Sequence, residues 1–255
     1  MIILKIIKYK KGTKGKYKIF LDNDNTIVLY EDVILKYNLL LTKEIDEKLL
    51  IEIDKYNQEC DVYYIALTSI NNRFKSTYEL RQFLIKKEYP EDLIDKAIDK
   101  LLKQGYLNDR MYARSYINNQ LITTNKGPYK IRKELSEKKI DSDIIEDEIE
   151  LYTDEKQTNK IKKLIEKGIK TNHNRGGVVL KQKIYNDLKL NGYDINLINS
   201  IINDYSFENN QDIAKKEYDK LYRKYSRKYS GSELEKVIKE KLYQRGLKYE
   251  EDERE

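Results

Sequence analysis

The sequence holds one cysteine, one histidine, two prolines and no tryptophan in 255 residues. With Cys60 alone, an internal disulfide framework is excluded and a reducing compartment is the natural setting. With His173 alone, no metal site or catalytic dyad that needs two histidines can form. No window approaches the ~18 uninterrupted apolar residues that span a bilayer. Residues 2–7 are mostly apolar, but no small-residue cleavage site follows, so no signal peptide is expected. A phosphate loop is missing too, because Gly12-Thr13-Lys14-Gly15 lacks both the spacing and the following helix. Gly176-Gly177 stands isolated and reads as a hinge. A soluble cytoplasmic protein without cofactor is the expectation.

What is abundant is charge. Lys and Arg total 50 against 44 Asp and Glu, a net +6, and hydrophobic residues reach only 39%, below the usual 45–50%. Leu, Ile and Tyr nevertheless recur along the whole chain, which argues against disorder. The wealth of Lys, Asn, Ile and Tyr resembles the codon bias of a low-GC genome, so the 23 tyrosines carry less weight than their number suggests.

The first 60 residues differ from the rest. Residues 2–9, 17–22 and 26–30 are β-branched or aromatic runs separated by Lys11-Gly12-Thr13-Lys14-Gly15 and Asp22-Asn23-Asp24-Asn25. Both separators carry turn chemistry, so a three-stranded antiparallel meander is expected. Residues 31–37 and 43–53 read as helical, the second through Ile45, Leu49 and Ile53. Cys60 reads as a half-buried small residue.

From residue 61 the apolar spacing is helical to the end, and it repeats. Leu84, Leu135, Leu188 and Leu242 share an origin, spaced by 51, 53 and 54 residues. Four positions earlier stand Leu80, Ile131, Ile184 and Ile238, and five later Tyr89, Ile140, Tyr193 and Leu247. Ten and fourteen later come Ile94, Ile145 and Ile198, then Ile98, Ile149 and Ile202. The first pair is one face of a helix, and the last two sets are the inward face of the next. Each unit also has a preceding helix. The fold expected is mainly α: elongated tandem three-helix repeats stacked as a solenoid, behind a small N-terminal module of strands and helix. The divisions are 1–60, 61–108, 109–153, 154–206 and an incomplete fourth repeat at 207–255. Capping boxes are expected at Ser76-Thr77-Tyr78-Glu79 and Ser232-Glu233-Leu234-Glu235, and left-handed caps at Gly192 and Gly246.

Around the first two repeats the residues are more specific. Arg73-Phe74-Lys75-Ser76, Glu79-Leu80, Leu84 and Lys87 lead into Gly105-Tyr106-Leu107-Asn108-Asp109, then Tyr112-Ala113, Gly127, Ile131, Glu134-Leu135 and Lys138. This string resembles the RecX family, bacterial regulators of the RecA recombinase, in its longer Gram-positive type. The likeness is good over 60–205 and extends to the C-terminus. Lys75 stands where that family commonly has Arg, Glu88 and Lys139 where it has Gly, and Tyr112 where it has Phe. The resemblance implies a non-enzymatic protein that docks on the RecA filament on single-stranded DNA, limits its extension or promotes disassembly, and lowers ATP hydrolysis and strand exchange; a monomer is the expectation.

The candidate contacts are basic. Residues 155–184 carry nine Lys and Arg against two acids, and 213–248 twelve against five. In the second segment Tyr218, Tyr222, Tyr225 and Tyr229 interleave with cations, a mixture that grips single-stranded nucleic acid. The competing reading is a solvated helix with its tyrosines in the core. Three positions before the repeat origin stand Arg81, Arg132, Tyr185 and Lys239, whose stems can lie on the core while their heads reach a partner. The residues expected to meet the RecA filament or DNA, single- or double-stranded, are Arg73, Lys75, Arg81, Arg132, Lys133, Lys162, Lys163, Lys181, Lys183, Lys216, Lys220, Arg223, Lys224, Arg227, Lys228 and Lys239.

Other polar features read as structural. The eight acids of 141–155 suit an exposed helix face better than a magnesium site. Asn108 and Asp109 suit N-capping better than catalysis, and His173 sits in a polar loop. A stand-alone DNA-binding protein is the alternative reading. A nuclease would need a carboxylate such as Asp109 or Glu148 to carry magnesium-dependent turnover.

Overall fold

The computed structural model describes residues 3–13, 15–208 and 210–249. The chain divides into two compact units, Met1–Tyr112 with Lys138–Ile140, and Ala113–Glu137 with Asp141–Glu255.

Unit one opens on β1 (Ile3–Lys11), β2 (Lys16–Leu21), β3 (Thr26–Tyr30) and α1 (Glu31–Lys36). The expected meander is present, but a fourth strand joins it. β4 (Glu44–Asp46) pairs antiparallel with Ile3–Lys5, giving the order β3-β2-β1-β4. The helix expected from residue 43 therefore starts later, as α2 (Glu47–Asn72). Asp46 decides this, because its side chain accepts the Leu49 N–H at 2.8 Å and so caps the helix from outside. Ile45 is fully buried from the strand, and its helical spacing to Leu49 and Ile53 was misleading because either conformation turns it inward. One helix of 26 residues then runs straight through residue 60, so the expected module boundary falls inside α2. Up to Cys60, α2 adds Ile53 and Cys60 to the core under the sheet. Its second half adds Val62, Ala66 and Ile70 to the first repeat. Cys60 is buried rather than half-buried, at 3% exposure. Burial pushes its thiol up to about 11, with Asp32 adding to the effect, which leaves it unreactive.

The first repeat is completed by α3 (Thr77–Ile85) and α4 (Glu91–Lys103). Leu80, Leu84 and Ile94 are fully buried, each adding about 1.5–3 kcal/mol. Ser76 and Glu79 form the expected reciprocal capping box. Unit two holds α5 (Asp109–Thr123, its first turn in unit one), α6 (Pro128–Glu137), α7 (Ser142–Ile149), α8 (Asp154–Lys170), α9 (Gly177–Leu190), α10 (Ile195–Ile202), α11 (Gln211–Tyr225) and α12 (Gly231–Gln244).

Two expectations about helix starts are corrected. Gly176-Gly177 is no hinge: Gly176 is the N-cap of α9 and Gly177 its first residue. The capping box at Ser232 does not form, because α12 begins at Gly231 with Ser230 as N-cap. The cause is common to both. Repeats three and four carry a buried leucine, Leu180 and Leu234, eight positions before the origin. Bringing it onto the inward face extends the middle helix N-terminally by one turn.

The left-handed caps are present, and they recur in all four repeats. Glu88, Lys139, Gly192 and Gly246 occupy one repeat position, with φ of 62°, 56°, 84° and 73°. Just before it, each later repeat meets the middle helix of its predecessor. The Gly127 N–H donates to the Asn191 carbonyl at 2.7 Å, and the Gly176 N–H to the Arg245 carbonyl at 3.0 Å. In unit one the Ser76 N–H is taken by Glu79, so the Ser76 hydroxyl reaches the equivalent Lys138 carbonyl instead, at 3.5 Å. A side chain in the left-handed region costs about 1–2 kcal/mol, partly offset by the greater freedom glycine loses on folding. Glu88→Gly and Lys139→Gly should each therefore stabilise the protein by about 0.5–1 kcal/mol in urea melts; a loss of stability at either would refute this reading of the cap.

The same joint holds an ion pair between Lys138 and Glu79. Burial works against the Glu79 charge, but Lys138 and the Ser76 N–H outweigh it and hold the carboxyl below its ordinary value of 4.5. A depressed folded pKa contributes stability that is present above 4.5 and disappears as pH falls through the folded value. Between about pH 5 and 3 the wild type should lose stability faster than Glu79→Gln; parallel curves would show that the carboxylate contributes nothing.

Candidate functional site

Five of the sixteen basic candidates are brought together along α11 and the turn that follows it: Lys216, Lys220, Arg223 and Lys224 on the helix and Arg227 just past its end line a trough of about 520 Å³ with Asp219. All five are exposed. The helix is held by its opposite face, where Ala214 and Leu221 join Leu234, Ile238, Leu242 and Leu247 in the core of the fourth repeat. Its buried acid, Glu217, takes an ion pair from Arg245 and a second from Lys220 at 3.5 Å. The acid is thus turned inward, and the outer face keeps Lys216, Arg223 and Lys224 exposed beside Lys220. Lys228 follows in the turn after the helix and Lys239 stands on α12, both exposed.

The aromatic half of the expected mixture is mostly core. Tyr218, Tyr225 and Tyr229 pack against the apolar cluster of the fourth repeat, leaving Tyr222 as the ring on α11 that stands 47% exposed. Phosphate contact is therefore the main chemistry that α11 offers, with little base stacking.

The basic row at the repeat origin is differently used. Arg81 pairs with Asp95, and Arg132 with Glu146 at 2.9 Å. In both repeats the acid lies fourteen residues after the arginine, so these guanidiniums tie the middle helix of a repeat to its third helix. Arg73 reaches Glu79 at 3.6 Å, Lys75 donates to the Ser69 carbonyl at 3.3 Å, and Lys181 to Asn203 at 2.9 Å. Lys183 pairs with Asp187 at 3.1 Å. Lys133 on α6 and Lys162 and Lys163 on α8 are exposed.

Asn108 and Asp109 do cap helices. The Asn108 side chain accepts from the Met111 N–H at 3.0 Å, and Asp109 accepts from the Thr77 N–H at 2.7 Å. Among the described residues no group of three or more His, Cys, Asp or Glu could hold a metal ion. One acid of 141–155 departs from the solvated face. Glu148 is 2% exposed and takes a bidentate grip from Arg114, at 2.7 and 3.1 Å. The equivalent positions in repeats one and three are Ala97 and Ile201, both buried; a charge at an apolar repeat position was the signal that marked it.

Residues 63–101 match the RecX first three-helix domain, and residues 108–148 the RecX second three-helix domain. "Regulatory protein RecX" of Streptococcus sanguinis is 31% identical over 250 residues, covering 96% of both chains. The chain belongs to the RecX family. "Regulatory protein RecX" of Bacillus subtilis is also 31% identical, over 96% of this chain and 94% of its own. Among solved structures, a regulatory protein RecX superposes with a TM-score of 0.69 at 28% identity, over 79% of this chain and all of that one. RecX from Lactobacillus salivarius gives 0.55 at 31% identity, over 58% of this chain and 97% of its own. The family resemblance and the three-helix repeat thus agree. Glu88 and Lys139, the two places where the resemblance leads to the expectation of glycine, are both held left-handed, as Gly192 and Gly246 are. No helix of the described residues is long and apolar enough to cross a membrane.

Proposed function

We propose that this chain regulates the RecA recombinase by docking on its filament on single-stranded DNA. Bound there, it limits extension or promotes disassembly, and so lowers ATP hydrolysis and strand exchange without catalysing a reaction itself. The observation that carries the reading is similarity to RecX regulators over 96% of the chain. The exposed cations of α11 support it, because they suit a polyanionic partner, whether the filament's DNA or an acidic protein groove. Lys133, Lys162, Lys163, Lys228 and Lys239 extend the proposed contact; Arg81 and Arg132 contribute by bracing their repeats.

The test is ATP hydrolysis by the same organism's RecA on single-stranded DNA, with this protein titrated far below stoichiometry. Inhibition at a small fraction of the recombinase concentration is the expected result. A second reading, a stand-alone DNA-binding protein, is favoured by the α11 trough taken by itself. It requires inhibition only when the protein saturates the DNA, at the salt where it binds bare DNA. That outcome would overturn filament docking.

A further inference from the structure

Unit one holds a second cationic cleft, one that the basic runs of the sequence do not announce. It has a volume of about 690 Å³ and lies where the sheet meets the first repeat, lined by Lys16, Tyr30, Tyr64, Lys75, Phe83 and Lys87 among others. The Lys75 and Lys87 ammoniums sit 5.7 and 5.9 Å from the centre of the Phe83 ring. Also in its lining, Tyr30 and Tyr64 stack at 4.8 Å, with the Lys16 ammonium 4.4 Å from the Tyr30 ring.

The acid of the cleft, Asp61, is already consumed. Its carboxylate accepts from the Tyr30 hydroxyl at 2.7 Å, Lys16 at 3.0 Å and the Tyr89 hydroxyl at 2.9 Å. Burial works against this charge, yet those hydrogen bonds outweigh it and keep the carboxyl below the usual carboxylate range. Lys16 is thus neutralised. Lys75 uses one of its three donors on the Ser69 carbonyl, and Lys87 is exposed. Two ammoniums therefore flank an aromatic ring at nearly equal distance.

That arrangement matches a ligand with a flat ring and one negative charge per repeating unit. An acidic peptide offers the charge without the ring. We propose that the cleft holds one or two nucleotides of single-stranded DNA, with bases against Phe83 and Tyr64 and phosphates on Lys75 and Lys87. This rests on the nucleic-acid part of the proposed function, and it gives unit one a stacking contact that the α11 trough lacks.

The test uses the full chain and an oligothymidylate carrying 5-iododeoxyuridine, irradiated without recombinase, with cross-linked peptides identified by mass spectrometry. Cross-links on the peptides bearing Tyr64 or Phe83 are expected. In a chain whose five trough cations are changed to Gln, Phe83→Leu keeps the side chain apolar and should lower affinity by about 5- to 150-fold, the range of one lost stack. Lys75→Gln with Lys87→Gln should reduce the salt slope by about 1.4, at ~0.7 per phosphate on a single strand. Lys87→Gln alone, at an exposed position, keeps the test valid should Phe83→Leu unfold. Cross-links confined to the fourth repeat, with unchanged affinity in the Lys variants, would overturn the proposal. So would protection of Lys75 and Lys87 from acetylation by an oligoglutamate peptide but not by oligothymidylate, which would assign the cleft to an acidic protein segment. Because no recombinase is present, failure here is separate from failure of RecA regulation.

Discussion

Gly192→Ala should destabilise the protein by about 2–5 kcal/mol, because the added methyl group meets both a strained backbone and a close neighbour. Two costs combine. A side chain at φ 84° costs about 1–2 kcal/mol for its left-handed backbone. The added carbon would also lie 2.5 Å from the Lys130 N and 2.8 Å from its Cβ, and overpacking of that kind costs about 1–3 kcal/mol. Neither neighbour can withdraw cheaply, because the Gly192 carbonyl accepts the Tyr129 N–H at 3.0 Å and the Asn191 carbonyl accepts from Gly127. Relief requires the second and third repeats to part. The control is Gly105→Ala, at φ 75° with nothing within 4 Å of the added carbon, which should cost only the backbone share. Chemical denaturation of the two variants measures the difference. Equal losses would mean that the close approach of Gly127 and Gly192 does not hold these repeats together.

That joint shows where sequence reasoning succeeds and where it stops. Periodic apolar residues such as Leu80, Leu84, Ile94 and Ile98 announce the repeat because burial enforces their spacing on every unit alike. Gly192 and Gly246 announce helix ends because few residues accept the left-handed cap. What periodicity cannot carry is the partner. Nothing local to Gly127 says that its N–H serves a carbonyl 64 residues later. Ile45 could be placed in helix or strand by its spacing, and only the pairing of Glu44–Asp46 with β1 settles it. Charge is less legible still. Arg81, Arg132 and Lys216 look equivalent as basic residues, yet the first two meet carboxylates fourteen residues on and the third faces water. Exposure, not composition, separates a brace from a contact. The tyrosines of α11 and the turn after it repeat the point, since packing takes Tyr218, Tyr225 and Tyr229 inward and leaves Tyr222 outside.

Changing Lys216, Lys220, Arg223, Lys224 and Arg227 together to Gln should remove most of the chain's salt-dependent affinity for single-stranded DNA. If each cation neutralises one phosphate, five contacts contribute a slope of about 3.5 in log affinity against log salt, at ~0.7 each. Between 50 and 200 mM salt that slope alone amounts to a loss of about 100-fold in the wild type, which the variant should not show. The fold should survive, because all five side chains are exposed and Glu217 keeps Arg245 when Lys220 is gone. Arg223 and Lys224 also lie in the last turn of α11, where a cation favours the helix by about 0.3–1 kcal/mol each. A small drop in thermal stability is therefore expected and must be measured alongside binding. Fluorescence anisotropy of labelled oligothymidylate across a salt series reads the slope directly. A variant that keeps the wild-type slope would return α11 to the status of a solvated helix in a lysine-rich chain. If its slope falls while substoichiometric inhibition of RecA persists, the regulator reaches the filament through protein contacts, and α11 serves the DNA alone. Loss of both together would place the filament's own DNA strand against α11.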